Sequence, residues 1–256
     1  MTKKNKTIIS SIVHGYKNLK KSLNDIERPS LLVIKNKQKK ILKYIYPRNP
    51  SDFREIKNII SGEIPSIKIQ NFKKLPRFGL TGLCRFKDRI YSGSWNSIYQ
   101  INSKSFKLEK IITNRLMCDI HGIYVNKNFI LHVLTAKDTV VFTGHDGKIK
   151  DFFTVGPKLN IFKDNKLLKD DWRFISKQYK GSTGFFHFNY IQYDNKKNEL
   201  FLTSRNLNCI VVVNLQNKKT KLKTMNLSTP ALIHDGVIFK NKYYFTSVDG
   251  KILIAK

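Results

Sequence analysis

One short phrase is written four times in this chain, and the repetition constrains the fold more than any other feature. YSGSWNSIYQI (91–101), VLTAKDTVVFT (133–143), FLTSRNLNCIVVV (201–213) and YFTSVDGKILI (244–254) superpose on their turn residues Asn96, Asp138, Asn206 and Asp249. The plainest copy, the last, runs from an apolar pair through Thr-Ser and one variable residue to Asp, then into a fresh apolar run. A short polar side chain there bonds backbone two residues on and tolerates turn geometry, so each phrase reads as strand, turn, strand.

Each copy has another strand before it and usually one after. The second runs DIHGIYV, FILHVLTA, TVVFTG, IKDFFTV; the first runs TGLCRF, RIYSGS, SIYQI, KLEKIIT; the third runs HFNYIQY, ELFLTS, CIVVV, KLKTM. Four short antiparallel strands recurring every forty-odd residues specify an all-β fold, a β-propeller of four-stranded blades. A β-sandwich also fits regular strand spacing. It has no reason to repeat the phrase.

The turn residues stand 42, 68 and 43 apart, so an insertion at about 156–186 separates the second and third copies. The last copy shows only three strands, and an unfinished blade leaves a sheet edge exposed. Upstream, SLLVIKN and KKILKYIYP read as a hairpin ended by Pro47 and Pro50, able to complete the final blade or form a further one. We therefore expect residues 30–256 to form one propeller domain of five blades, with six as the alternative, its ring closed by an N-terminal strand or hairpin. Residues 1–29 form an extension in which 16–23 suits a short amphipathic helix while His14-Gly15 echoes the later His-Gly motif, so its structure stays open, and the connector 51–78 holds one expected strand at 66–69 and a helical turn near 53–60.

Charge is the main compositional anomaly, +30 from 48 Lys+Arg against 18 Asp+Glu. A basic excess invites a nucleic-acid or anionic-surface partner. Here it is mostly Lys, dispersed from Lys3 to Lys256 among abundant Asn and Ile, as AT-rich coding DNA would also produce. Cys84, Cys118 and Cys209 form no CxxC pair and read as reduced thiols of a cytoplasmic protein. The early apolar run TIISSIV lacks a small-residue cleavage site, which argues against a signal peptide. No stretch approaches the roughly 18 apolar residues of a membrane span.

The blade openings DIHG (119–122) and HFN (187–189) resemble those of arylsulfotransferase-like, gluconolactonase-like and NHL-type propellers. The resemblance covers about residues 79–256. It implies the fold, while the motifs are shared across many activities and leave function open.

In a propeller the first strand of each blade lines the axis, so the starts of these strands converge at one mouth. There the chain places Thr81, then Asp119 and His121, then His187 and Asn189, then His234 and Asp235. His121, His187 and His234 are the candidate catalytic residues and the candidate ligands of a divalent metal, since neutral imidazoles bind such ions and also move protons near neutral pH. The same groups also suit a register device that bonds backbone and trapped water across blades. Aligning the flanking strands puts His121 and His234 one residue out of step. His132, within a strand, and His145, within a turn, read as structural.

The insertion contributes DDWRF (170–174), where Trp172 and Arg173 suit an anionic or sugar-like ligand as a lid, or else pin the loop by burial and an ion pair. KGSTG (180–184) adds backbone donors for an anion. Arg205 occupies the variable place in its turn, as do Trp95, Lys137 and Val248, a place that suits either a ligand-facing side chain on one face or plain loop decoration. No GxSxG, HExxH or dinucleotide fingerprint occurs. Two functions fit these residues. One is a propeller that binds a small polar or anionic ligand at its mouth and acts on it, with a metal's help, by hydrolysis, lactone opening or group transfer. The other is a non-catalytic scaffold for protein or nucleic-acid backbone.

Overall fold

The computed structural model describes residues 6–10, 12–13, 31–35, 41–45, 59–63, 78–79, 81–94, 96–105, 107–174, 184–224, 233, 235–239, 242–247 and 251–255. Its first strands are β1 (Lys6–Ser10), β2 (Ile12–Val13), β3 (Leu31–Lys35), β4 (Ile41–Ile45), β5 (Ile60–Gly62) and β6 (Phe78–Gly79). β3 and β4 form the hairpin that the sequence predicts, joined by β1 in an antiparallel sheet of order β1-β3-β4. β2 pairs with β6.

Four antiparallel blades follow in series. The first is β7 (Thr81–Phe86), β8 (Arg89–Gly93), β9 (Ile98–Asn102) and β10 (Leu108–Thr113), with β5 added parallel to β10 at the outer edge. The second is β11 (Ile123–Val125), β12 (Ile130–Leu134), β13 (Thr139–Thr143) and β14 (Ile149–Val155), extended by β15 (Ile161–Phe162). The third is β16 (Phe188–Asp194), β17 (Glu199–Ser204), β18 (Cys209–Asn214) and β19 (Lys219–Thr224). The fourth shows β20 (Val237–Phe239), β21 (Lys242–Thr246) and β22 (Ile252–Ala255). The architecture is an all-β propeller, and among the described residues there is no α-helix.

Blade-on-blade packing explains why the middle strands read as unbroken apolar runs. A strand covered on both faces has no solvent side on which to alternate. In β18, Val211 and Val213 pack with Leu131, Val133 and Val140 of the second blade. Their neighbours Ile210 and Val212 point the other way, onto Ile233, Tyr243 and Phe245 of the fourth. Between the first two blades, Tyr91, Ile98 and Ile112 meet Ile123, Val125 and Ile130. The far face of the fourth blade is open, with Val237, Phe239, Ile252 and Ile254 exposed.

β11 lies beside both β7 and β16, so the first strand of each blade is the innermost. Close backbone approach fixes the spacing there. A Cβ at Gly122 would stand 2.7 Å from Tyr190 Cα, and Gly82 faces His121 O in the same way at 2.4 Å. Gly82 also has φ +54, which an L side chain adopts only with strain.

The hairpin belongs to a separate sheet rather than to the last blade. β1 lies alongside β7, and among the described residues β22 pairs only with β21. β1, β3 and β4 thus make a three-stranded sheet of their own beside the four blades. The segment 16–23 and the expected strand at 66–69 lie outside the described residues. No helix among the described residues is long and apolar enough to cross a membrane.

Candidate functional site at the upper axial mouth

An antiparallel meander places two kinds of connection at the same end of every blade, the segments entering the inner strands and the turns between second and third strands. At this upper end the second and third blades bring Asp119, His121, His187 and Asn189 together. His121 Nε2 lies 3.1 Å from Asp119 Oδ1, both side chains being 3% exposed. The His121 and His187 rings meet edge to face, with centroids 6.1 Å apart. A carboxylate oxygen accepts, so this contact orients the ring with Nε2 toward Asp119.

Asn189 is fully buried, at 0% exposure. Neither its amide nitrogen nor its carbonyl oxygen meets a hydrogen-bond partner among the described residues. Each such orphan costs roughly 1–3 kcal/mol unless something else satisfies it. Above this point runs the turn that starts at Arg205, whose backbone N–H donates to His187 O at 3.2 Å. Arg205 Nε is likewise buried without an acceptor among the described residues. Backbone strain marks the same place, since Asp119 (φ 51) and His187 (φ 52) both occupy the left-handed region, where a non-glycine residue costs on the order of 1 kcal/mol.

Two residues of the repeated phrase complete the cluster, Thr135 and Asp138, of which the sequence marks only Asp138, as a turn residue. Thr135 Oγ1 lies 3.1 Å from Asp119 O and 2.9 Å from Phe188 O, sharing its proton across two blades. The same phrase position carries Thr246, whose hydroxyl bonds Asp235 at 3.2 Å. That recurrence is the signal that could have found Thr135. Asp138 Oδ2 accepts the Phe186 N–H at 2.9 Å, while Oδ1 accepts no bond among the described residues. Burial pushes the Asp138 carboxyl up to about 6, and the backbone amides of Phe185 to Phe188 pull the other way.

The remaining predicted residues lie apart. Thr81 opens β7 opposite Gly93. Asp235 is exposed on the fourth blade, and with strand starts aligned it takes the place of His121. His234 lies outside the described residues, as do residues 175–183. The Asp119 carboxylate is turned onto His121, and among the described residues no three His, Cys, Asp or Glu side chains converge to hold a metal.

Trp172 and Arg173 sit at the rim, against the outer strand of the first blade. Trp172 Nε1 donates to Leu167 O at 3.0 Å, and its ring packs with Leu116, Leu134 and Phe152 under the Lys137 ammonium. Arg173, 1% exposed, holds both Asp171 oxygens at 2.7 and 2.5 Å and reaches Glu63 O at 2.7 Å and Thr113 Oγ1 at 3.1 Å. These bonds pin the insertion to the first blade. His132 is buried, 3.1 Å from Thr143 Oγ1, and burial alone lowers it to about 3, so it is neutral. His145 Nε2 bonds Asn126 O at 2.8 Å.

No protein-family model matches the chain, and no curated protein does. Among solved structures it is similar to the β-propeller domain of Cps50 (Swd1) from Myceliophteria thermophila, at 10% identity and a TM-score of 0.50, over 89% of this chain and 60% of that one. It is also similar to virginiamycin B lyase from Staphylococcus aureus, at 12% identity and a TM-score of 0.46 over 98% of this chain and 74% of that one. A third likeness is to glutaminyl cyclase from Myxococcus xanthus, at 8% identity and a TM-score of 0.46 over 89% and 87% of the two chains. At these identities the likeness is one of fold, and of these three the Cps50 domain alone is close enough to carry it.

Proposed function

We propose that the protein binds a small polar or anionic molecule at the upper mouth of its axis and moves a proton on it. The observation that carries this is Asn189, a carboxamide with 0% exposure whose donor and acceptor both go unanswered by the described residues. A buried group of that kind is satisfied by a guest or by ordered water. Arg205, with its buried Nε, gives the guest a cationic side. The Asp119–His121 pair is the candidate for the chemistry, because an imidazole held by a carboxylate beside the guest acts as a general base toward a water attacking a carbonyl, and Asp119 stabilises the resulting cation. Opening of a lactone or hydrolysis of an ester is the reaction class this arrangement serves.

The test uses the full chain with phosphate, gluconate and gluconolactone as probes, read by thermal shift, calorimetry and acid release. At least one probe is expected to raise Tm, Asn189→Ala and Asn189→Ser to weaken its binding about tenfold, and His121→Gln to retain binding while losing lactone opening. If no probe shifts Tm, or both Asn189 variants bind as tightly as the parent, the reading is wrong.

A further inference from the structure

We infer that the lower face carries a second binding pocket, for a phosphate ester borne on a ring. A cavity of about 670 Å³ opens between the third and fourth blades at the end opposite the axial cluster. That is the size of a site for a small molecule, well short of what a polymer needs. Its walls combine two features that a single ligand class answers.

The first feature is aromatic. Tyr124 and Tyr193 meet edge to face at 5.8 Å, and Phe201 and Tyr243 line the cavity with them. Two of these rings have their hydroxyls anchored. Tyr193 OH donates to Asn198 Oδ1 at 2.7 Å, and Tyr243 OH accepts from Lys223 Nζ at 2.8 Å. Fixed rings offer flat surface for stacking at little entropic cost.

The second feature is charge. Lys196, Lys197 and Lys223 line the same cavity, against Asp194 as the one carboxylate among the described lining residues. Asp194 Oδ1 is engaged by the backbone N–H groups of Lys196 at 2.9 Å and Lys197 at 3.3 Å, which shapes the turn that presents both ammoniums. Gln192 Oε1 accepts the Ile238 N–H at 3.0 Å and ties the two blades at the cavity wall. A dianionic phosphate matches the ammoniums, and the ring that carries it matches the tyrosines. A mononucleotide and a hexose phosphate share that chemistry.

The test is calorimetry on the full chain at low ionic strength, with adenosine monophosphate, a hexose phosphate and inorganic phosphate titrated separately. We expect one ester to bind at least about tenfold more tightly than inorganic phosphate, and the double reversal Lys196→Glu with Lys197→Glu to weaken it about tenfold or more. Lys148→Glu with Lys150→Glu, exposed at the start of β14 in the second blade and outside the cavity lining, serves as the control for general charge and should leave binding within about twofold. Preference between the esters identifies the ring as base or sugar. The inference is overturned if neither ester binds, if inorganic phosphate binds as well as both, or if the control reversal weakens binding as much as the test pair. Asn189→Ala should leave this binding unchanged, which separates it from the upper site.

Discussion

Replacing Asp138 with asparagine should change how stability depends on pH, and the structure fixes both sign and size. The carboxyl is buried, with one amide donor at 2.9 Å on Oδ2, and burial raises it from 3.8 to about 6. The folded protein therefore keeps a proton there at pH values where the unfolded chain has lost it. Stability from this group is fully present below about pH 4 and is lost as pH rises through about 6. A shift from 3.8 to about 6 corresponds to about 3 kcal/mol, at roughly 1.4 kcal/mol per unit. The carboxamide of the Asp138→Asn variant would keep an oxygen for the Phe186 N–H and would not titrate. Urea unfolding of both proteins from about pH 4 to about pH 8 should show wild type losing about 2.5 kcal/mol relative to Asp138→Asn, with most of the change between about pH 4 and about pH 6. The slope of the difference is the readout, because the other carboxylates cancel in it. A difference that stays flat, or that grows in favour of wild type with rising pH, refutes the argument.

Two further outcomes test the packing. Arg173→Ala should destabilise by about 2–4 kcal/mol, since it empties the place of a buried guanidinium that pairs with Asp171 and answers Glu63 O and Thr113 Oγ1, while Arg173→Lys should recover only part of the loss; urea midpoints measure both. Gly122→Ala should lower Tm and cost about 1–3 kcal/mol, because its new carbon would meet Tyr190 Cα at 2.7 Å and must push the second and third blades apart.

Much of the blade architecture is legible before any coordinates. The segments TGLCRF, IKDFFTV and ELFLTS are β7, β14 and β17 as written. Period and turn chemistry are local, so they survive in the sequence. The axial pairing of His121 with Asp119 is legible as neighbours in one motif, and the approach of His187 follows from blade order. The bridging by Thr135 is not, because its acceptors lie 16 and 53 residues away. Arg173 shows the same limit. Of the two readings of DDWRF, a ligand-facing lid or a loop pinned by burial and an ion pair, the second describes Arg173 on Asp171, while its backbone acceptor Glu63, 110 residues away in sequence, has no local sign. Long-range backbone acceptors leave no mark on local sequence.

The glycines at the axis separate two things that usually vary together. Where neighbouring blades touch through main chain, at Gly82 against His121 and Gly122 against Tyr190, the bore of the ring is independent of which side chains surround the mouth. Substitutions at Asp119, His121, His187 or Asn189 can therefore exchange one chemistry for another without changing the diameter into which a guest must fit. The ring acts as a fixed socket with interchangeable contacts, so a relative with different residues at these four places would differ in what it binds before it differed in shape.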